Sequence, residues 1–277
     1  MFKFPSIAFI GGGNMANALV SGLLNQKCPS ENLHVIEVAD TLREQWSAKN
    51  ISTSSTPDAG LTNKKVWIFA VKPQQMKEVV LACKPWLSSD TLVISIAAGI
   101  SIGSLASWLG SDESPYQNVV RCMPNTPALV GAGVTGLAAP LGLSLQDRDT
   151  ATNLLSAVGQ TVWVEDDRAI DAVTALSGSG PAYVFLFIEA LIQGGESLGL
   201  TAQQSKELAL ATLAGATKLA SNSSEPPSTL RERVTSKGGT TAAALAVFQD
   251  SKFVHIVSEA MRAADLRAAE LSKEFGA

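Results

Sequence analysis

Short continuous apolar runs recur through the first 165 residues, and stretches with helical periodicity separate them. The runs are Ser6–Ile10, Leu33–Val38, Val66–Ala70, Leu92–Gly99, Asn118–Met123, Gly131–Leu137 and Thr161–Val164. Runs without polar alternation suit strands covered on both faces, so the pattern predicts a mainly parallel sheet between helices. Met15, Ala18, Leu19 and Gly22 recur at helical spacing after the first run. Thr41–Lys49 reads as a helix that Asp40 would cap, and Ser144-Leu-Gln-Asp147 is a capping-box signature opening a helix over Leu145–Val158. The expected fold class is α/β, with a doubly wound sheet of seven or eight strands that binds ligands at the strands' C-terminal edge.

Beyond residue 165 the strand signals stop. Helices are predicted over Asp171–Leu176, Pro181–Leu198, Thr201–Ser221, Thr241–Asp250 and Val254–Phe275, which divides the chain into residues 1–165 and an all-helical 166–277. Asp171–Tyr183 is the expected joint. Its Ser177-Gly-Ser-Gly180 run can take backbone angles closed to other residues, and Pro181 suits the first position of a new helix. That helix is apolar nearly all round, which predicts burial on several sides. Val254, Val257, Met261, Ala264, Ala268, Leu271 and Phe275 form an unbroken seam at steps of three and four, either core or subunit interface. A small helical domain with several apolar faces has surface left to bury, so a homo-oligomer, a dimer at least, is expected.

Gly11-x-Gly13-x-x-Ala16 joins the first strand to the first helix and matches the dinucleotide fingerprint of a Rossmann domain. One glycine makes the tight turn, one lets backbone approach a pyrophosphate, and a small third residue lets helix pack on strand. At the end of the second run, Glu37 and Asp40 suit a free ribose 2'-hydroxyl and hence NADH, whereas Arg43 suits a 2'-phosphate and hence NADPH. The choice stays open. Lys72 is either a cofactor contact or a solvated lysine at a helix start, and Ala97, Ala98 and Gly99 are small enough for a flat ring to approach. Near the other end of the chain, Gly238 and Gly239 precede a helix beginning at Thr240 or Thr241. Such an end exposes N–H groups to a carboxylate.

Composition narrows the partners. With 46% apolar and 17% charged residues, 277 residues suffice for two ordinary cores. The net charge of -4 is interspersed, and no basic cluster exceeds Leu230-Arg-Glu-Arg-Val234, so neither nucleic acid nor an anionic membrane is expected as a partner. Cys28, Cys83 and Cys122 are scattered and lack Cys-x-x-Cys spacing, which argues against disulfides and a zinc site and fits a reducing cytoplasm. No metal is expected. No signal-peptide core opens the chain, and no later apolar run reaches the roughly 18 residues of a membrane span, so a soluble protein with a small-molecule substrate is expected.

Six blocks together resemble the motif series of the pyrroline-5-carboxylate reductase family. They are Phe9–Met15, Ala70-Val-Lys-Pro73, Ser95-Ile-Ala-Ala-Gly99, Arg121-Cys-Met-Pro-Asn-Thr-Pro127, Leu176–Tyr183 and Val234–Thr241. The resemblance implies NAD(P)H-dependent reduction of L-1-pyrroline-5-carboxylate to L-proline, with NADPH or NADH held by an N-terminal domain and a helical domain that dimerises, often within decamers. It implies pyrophosphate contacts at Gly11, Gly12, Gly13, Asn14 and Met15, and ribose and nicotinamide contacts at Ala70, Val71, Lys72, Pro73, Ile96, Ala97 and Ala98. Gly239, Thr240 and Thr241 would seat the substrate carboxylate, Thr174 matches a further substrate threonine, and Thr241 matches the threonine that hydrogen-bonds the ring nitrogen. Lys237 departs from the proline many members carry there. A protonated cyclic imine already accepts hydride well, so no strong acid is required, and His34 and His255 fall outside every block.

Two rivals remain in view. A beta-hydroxyacid dehydrogenase needs a lysine early in the helix after the glycine run, whereas the chain's Lys218-x-x-x-Asn222 comes later. A non-catalytic redox sensor would bind the dinucleotide and report through the helical interface, with tight cofactor binding and no turnover of any imine.

Overall fold

The computed structural model describes residues 2–276. The first part alternates strand and helix: β1 (Ile7–Ile10), α1 (Asn14–Asn25), β2 (Leu33–Ile36), α2 (Asp40–Ser47), β3 (Ser52–Ser54), β4 (Val66–Phe69), α3 (Pro73–Cys83), β5 (Leu92–Ser95), α4 (Ile102–Leu109), β6 (Val119–Met123), β7 (Gly133–Ala138), α5 (Leu145–Leu155) and β8 (Gly159–Trp163). The eight strands lie in the order β3-β2-β1-β4-β5-β6-β7-β8. Every neighbouring pair is parallel except β6 with β7. Ile7 and Phe9 of β1 enter one core and Ala8 and Ile10 the other, which is why the sequence shows continuous rather than alternating apolar runs. The fold is the expected doubly wound α/β sheet.

The helices that follow are α6 (Asp167–Val173), α7 (Gly180–Ser197), α8 (Ala202–Ser221), α9 (Pro227–Arg233), α10 (Thr240–Asp250) and α11 (Phe253–Phe275). Two compact units result: residues through Ser179 together with those from Ala263 onward, and Gly180–Arg262. The C-terminal half of α11 thus belongs to the sheet-bearing unit. There Ala268 is buried, Leu271 touches Gly99, Phe275 packs on the core beside α3 and α4, and Ser104 Oγ donates to the Gly276 carbonyl at 2.7 Å. The other end of the seam, Val254 and Val257, is exposed.

Several expectations need correction. Asp40 does not cap α2: Ala39 is the N-cap and no side chain caps it, while Asp40 is the first helical residue. No new helix starts at Pro181. Residues 167–197 form one helix, interrupted only by a π-helical turn over Thr174–Gly178, and neither Gly178 nor Gly180 takes a positive φ. Local hydroxyls favour that turn: Thr174 Oγ1 donates to the Ile170 carbonyl at 2.8 Å and Ser177 Oγ to that of Val173 at 3.1 Å, while the Ser179 N–H reaches back to Thr174. Gly178 serves close approach instead, since a Cβ there would lie 2.6 Å from Met123 Cε.

Fusing the two predicted helices also produces a segment of membrane-spanning length, with mean hydropathy 1.5 over an 18-residue window. No continuous apolar run of that length underlies the match, since Asp171, Ser177–Gly180 and Glu189 interrupt it. Nor is α7 buried on several sides in the single chain, where Val184, Phe185 and Leu186 are exposed. A length-and-composition match on one helix carries little weight, because apolar helices of subunit interfaces meet the same criterion.

Candidate functional site

Strands β1 and β4 are neighbours in the sheet, yet β2 and β3 lie to one side of them and β5 to β8 to the other. Their C-terminal ends form the switch point where doubly wound sheets hold ligands. Gly11 follows β1 with φ +100°, and a Cβ on it would stand 2.7 Å from the Ala70 carbonyl oxygen after β4. Only glycine fits there. Gly13 is the N-cap of α1 without a side-chain cap, and Gly13 and Asn14 are exposed, so the helix presents open N–H groups and its positive end to an anion. Gly11, Gly13, Ala70, Val71 and Lys72 share one cleft of about 470 Å³, with Gly12 buried and Met15 half-buried beside it. These features fit a pyrophosphate. We expect Gly11→Ala to weaken dinucleotide binding by about tenfold or more, from a strained φ and the clash together; a fluorescence titration giving the parent's dissociation constant would remove Gly11 from the cradle.

Lys72 is the N-cap of α3, and Pro73 its first residue. Ile96, Ala97 and Ala98 follow β5 at the same edge, fixed by the Ile96 N–H donating to the Phe69 carbonyl at 3.1 Å. Ser55 and Thr56 also line the cleft. Neither is legible in the sequence, because Ser52-Thr-Ser54 carries no apolar signal for the strand that precedes them. His34, buried on β2, is held by the hydroxyls of Ser52 and Ser54. Its role is structural.

At the end of β2 the Glu37 carboxylate accepts the Gly12 N–H at 2.8 Å on Oε2 and the Ala39 N–H at 2.9 Å on Oε1. Arg43 folds onto the same strand end: Nη1 donates to the carbonyls of Glu37 and Val38 at 2.6 and 2.8 Å, and Nη2 pairs with Asp40.

Beside the cofactor edge lies a buried charge cluster that the sequence hid. Arg121 on β6 is 2% exposed, donating from Nη1 to Asp167 Oδ1 at 2.8 Å and from Nη2 to Asp171 Oδ1 at 2.7 Å. The Asp167 carboxylate also accepts the Ile102 N–H that opens α4. A charged residue inside the apolar run Asn118–Met123 was the available signal. Asn125 ties the next loop to the π-helical turn, donating to the Ser177 carbonyl at 3.1 Å and accepting the Val134 N–H at 3.0 Å.

In the Gly180–Arg262 unit, Gly238 takes φ +72° and Gly239 is the N-cap of α10, again without a side-chain cap. Thr240 and Thr241 occupy the first turn, Thr240 exposed and Thr241 half-buried. A Cβ at 239 would lie 2.4 Å from Ser236 Oγ, so glycine keeps this end narrow. Lys237 is exposed, and Glu225 is held by Arg233 at 2.5 Å. Thr174 belongs to the other unit, its hydroxyl committed to the Ile170 carbonyl.

Burial pushes the Cys28 thiol up to about 11 and Cys83 to about 12, and raises Cys122 further. None is a thiolate at neutral pH, so thiol nucleophile chemistry is excluded. α7 contains no lysine, and Lys218 with Asn222 falls at the C-terminal end of α8, which removes the hydroxyacid dehydrogenase constellation.

The chain is similar to known proteins along nearly its whole length. A family model described as pyrroline-5-carboxylate reductase dimerisation matches residues 167–271, and one described as NADP oxidoreductase, coenzyme F420-dependent, matches residues 6–99. The chain is 43% identical to the pyrroline-5-carboxylate reductase of Pseudomonas aeruginosa, over 98% of each chain. A solved pyrroline-5-carboxylate reductase from Coxiella burnetii superposes with TM-score 0.90 at 37% identity, covering 98% of this chain and 99% of that one. The Plasmodium falciparum pyrroline carboxylate reductase, crystallised with NADP bound, gives TM-score 0.84 at 31% identity, covering 97% and 98%. With a dinucleotide cradle at the switch point and an open helix end at Gly239, and with this identity along nearly its whole length, the chain belongs to the pyrroline-5-carboxylate reductase family.

Proposed function

We propose that this chain is an enzyme that reduces L-1-pyrroline-5-carboxylate to L-proline at the expense of NADPH or NADH, the last step of proline biosynthesis. The reading is carried by one coincidence: a chain 43% identical to a pyrroline-5-carboxylate reductase over 98% of its length has both a Gly11–Met15 cradle and an uncapped helix end at Gly239–Thr241. When bound, the reduced nicotinamide supplies a hydride. Everything else falls to the chain. The glycine loop and the start of α1, from Gly11 to Met15, hold the pyrophosphate, while Ala70, Val71, Lys72, Pro73, Ile96, Ala97 and Ala98 hold ribose and nicotinamide. The backbone N–H groups at Gly239, Thr240 and Thr241 seat the substrate carboxylate, favoured by the helix dipole. Thr174 contributes on the substrate side.

The imine carbon gains the hydride and the ring nitrogen carries a proton in the product. Thr241 Oγ1 either orients that nitrogen or delivers the proton to it. Holding the reacting carbon in place supplies roughly 7–11 kcal/mol of barrier reduction, so a strong acid is unnecessary. Loss of reduced-nicotinamide absorbance on adding the imine, with NADH and NADPH in parallel and a hydroxyacid control in the oxidative direction, tests the reading. Turnover of the hydroxyacid alone, or of nothing, would overturn it.

Residues 1–165 form the dinucleotide domain in this reading and 166–277 the helical dimerisation domain, the latter supported by the dimerisation family match over 167–271. The exposed apolar side chains of α7 suit burial against a second copy. A homo-oligomer results, a dimer at least, and assembly into a decamer follows the family resemblance. Light scattering should give a mass at least twice the 28.9 kDa of one chain; a monomer at working concentration would refute the assembly. The cytoplasm is the proposed compartment, consistent with three free, buried thiols.

A further inference from the structure

The end of β2 is built around a fixed negative charge. Glu37 directly follows the strand, where doubly wound sheets read the adenosine ribose. Its two carboxylate oxygens each accept one backbone N–H, from the glycine loop and from Ala39, and so keep further lone pairs for hydroxyl donors. The loop is shaped for this group. A Cβ at Gly12 would stand 2.6 Å from Trp46 Nε1 and 3.2 Å from Glu37 Oε2, so a side chain there would push the indole aside and crowd the carboxylate.

The cation that would favour a 2'-phosphate is already committed. Arg43 spends Nη1 on two carbonyls and Nη2 on Asp40, and the Arg43–Asp40 pair is neutral as a whole. To reach a phosphate dianion it would have to give up those three acceptors. The cleft lining carries the carboxylates Glu37 and Glu78 against the ammonium of Lys72, while Ser55 and Thr56 bring hydroxyl groups without charge. A ribose diol meets acceptors here, and a 2'-phosphate meets a like charge.

We infer that Glu37 makes this chain select NADH over NADPH. The inference rests on the proposed function only in taking a nicotinamide dinucleotide as the ligand of the Gly11–Met15 cradle. Calorimetric titration of the parent protein should show NADH binding about tenfold or more tightly than NADPH, the size expected of a partly exposed like-charge encounter. Glu37→Gln should narrow that gap at least severalfold through a gain in NADPH affinity.

Fragment binding to the parent tests the same point without a substitution, in case loss of the carboxylate loosens the glycine loop: adenosine 5'-monophosphate should bind more tightly than adenosine 2',5'-bisphosphate, which differs from it only by the 2'-phosphate. Equal or tighter NADPH binding in the parent overturns the inference, as does a Glu37→Gln variant that weakens both dinucleotides by the same factor. Failure of imine turnover while NADH still binds more tightly would overturn the reductase reading and leave this one standing. Turnover at equal affinities for both dinucleotides would do the reverse.

Discussion

Thr241→Ala is expected to lower the turnover number by about tenfold to a hundredfold while leaving the NADH dissociation constant within about twofold. The hydroxyl sits in the first turn of α10, on an N-terminus that no side chain caps. Alanine is a good helix former and keeps the backbone N–H groups that would hold the carboxylate. The substitution therefore removes the interaction at the ring nitrogen and little else. Serine at 241 should recover most of the rate, since it restores the hydroxyl. Steady-state kinetics with saturating dinucleotide separate the outcomes: unchanged turnover would exclude Thr241 from the chemistry, and a rise in KM alone would limit it to substrate binding.

The largest expected loss of stability comes from Asp171→Ala. Arg121 is 2% exposed, and its guanidinium is held by Asp167 on one side and Asp171 on the other. Removing one partner leaves a buried charge half compensated, at a cost of about 3–5 kcal/mol. Asp171→Asn keeps an acceptor and should lose less. Because Asp167 also holds the first N–H of α4, displacement of Arg121 should propagate to the Ile96–Gly99 loop and weaken dinucleotide binding as well. Urea titration measures the first effect and fluorescence titration the second. A loss under about 1 kcal/mol would show that Asp167 alone satisfies the guanidinium.

The parts of this fold that were legible in the sequence are those where local pattern and tertiary role coincide. β1, β2, β4, β5 and β6 are apolar on both faces because both faces are covered, and that needs no long-range knowledge. The reciprocal Thr201–Gln204 cap of α8 is likewise local. β3 was hidden because Ser-Thr-Ser becomes a strand only by pairing with β2. α9 was hidden because Pro226 and Pro227 in a polar stretch read as a loop, although Pro227 only opens the helix. The Ser177–Gly180 run read as a cap because the hydroxyls of Thr174 and Ser177, which turn the backbone into a π-helical register, act on carbonyls one turn back.

The site divides the same way. Gly11 and Gly238 announced themselves, since a required conformation is written in the residue type. Arg121 depends on carboxylates 46 and 50 residues away, and no spacing rule links them. The commitment of Arg43 to Asp40 and two carbonyls cannot be read from the sequence, because it depends on how the end of β2 folds back over α2.

The sheet-bearing unit is discontinuous, since it includes the end of α11 as well as the first 179 residues. Synthesis on the ribosome therefore delivers every strand long before Ala268, Leu271 and Phe275 emerge to cover Gly99 and the core beside α3 and α4. The N-terminal unit cannot close while it is being made. Its final packing waits for the end of α11, and a chain lacking that half-helix would leave Gly99 and part of the core beside α3 and α4 uncovered.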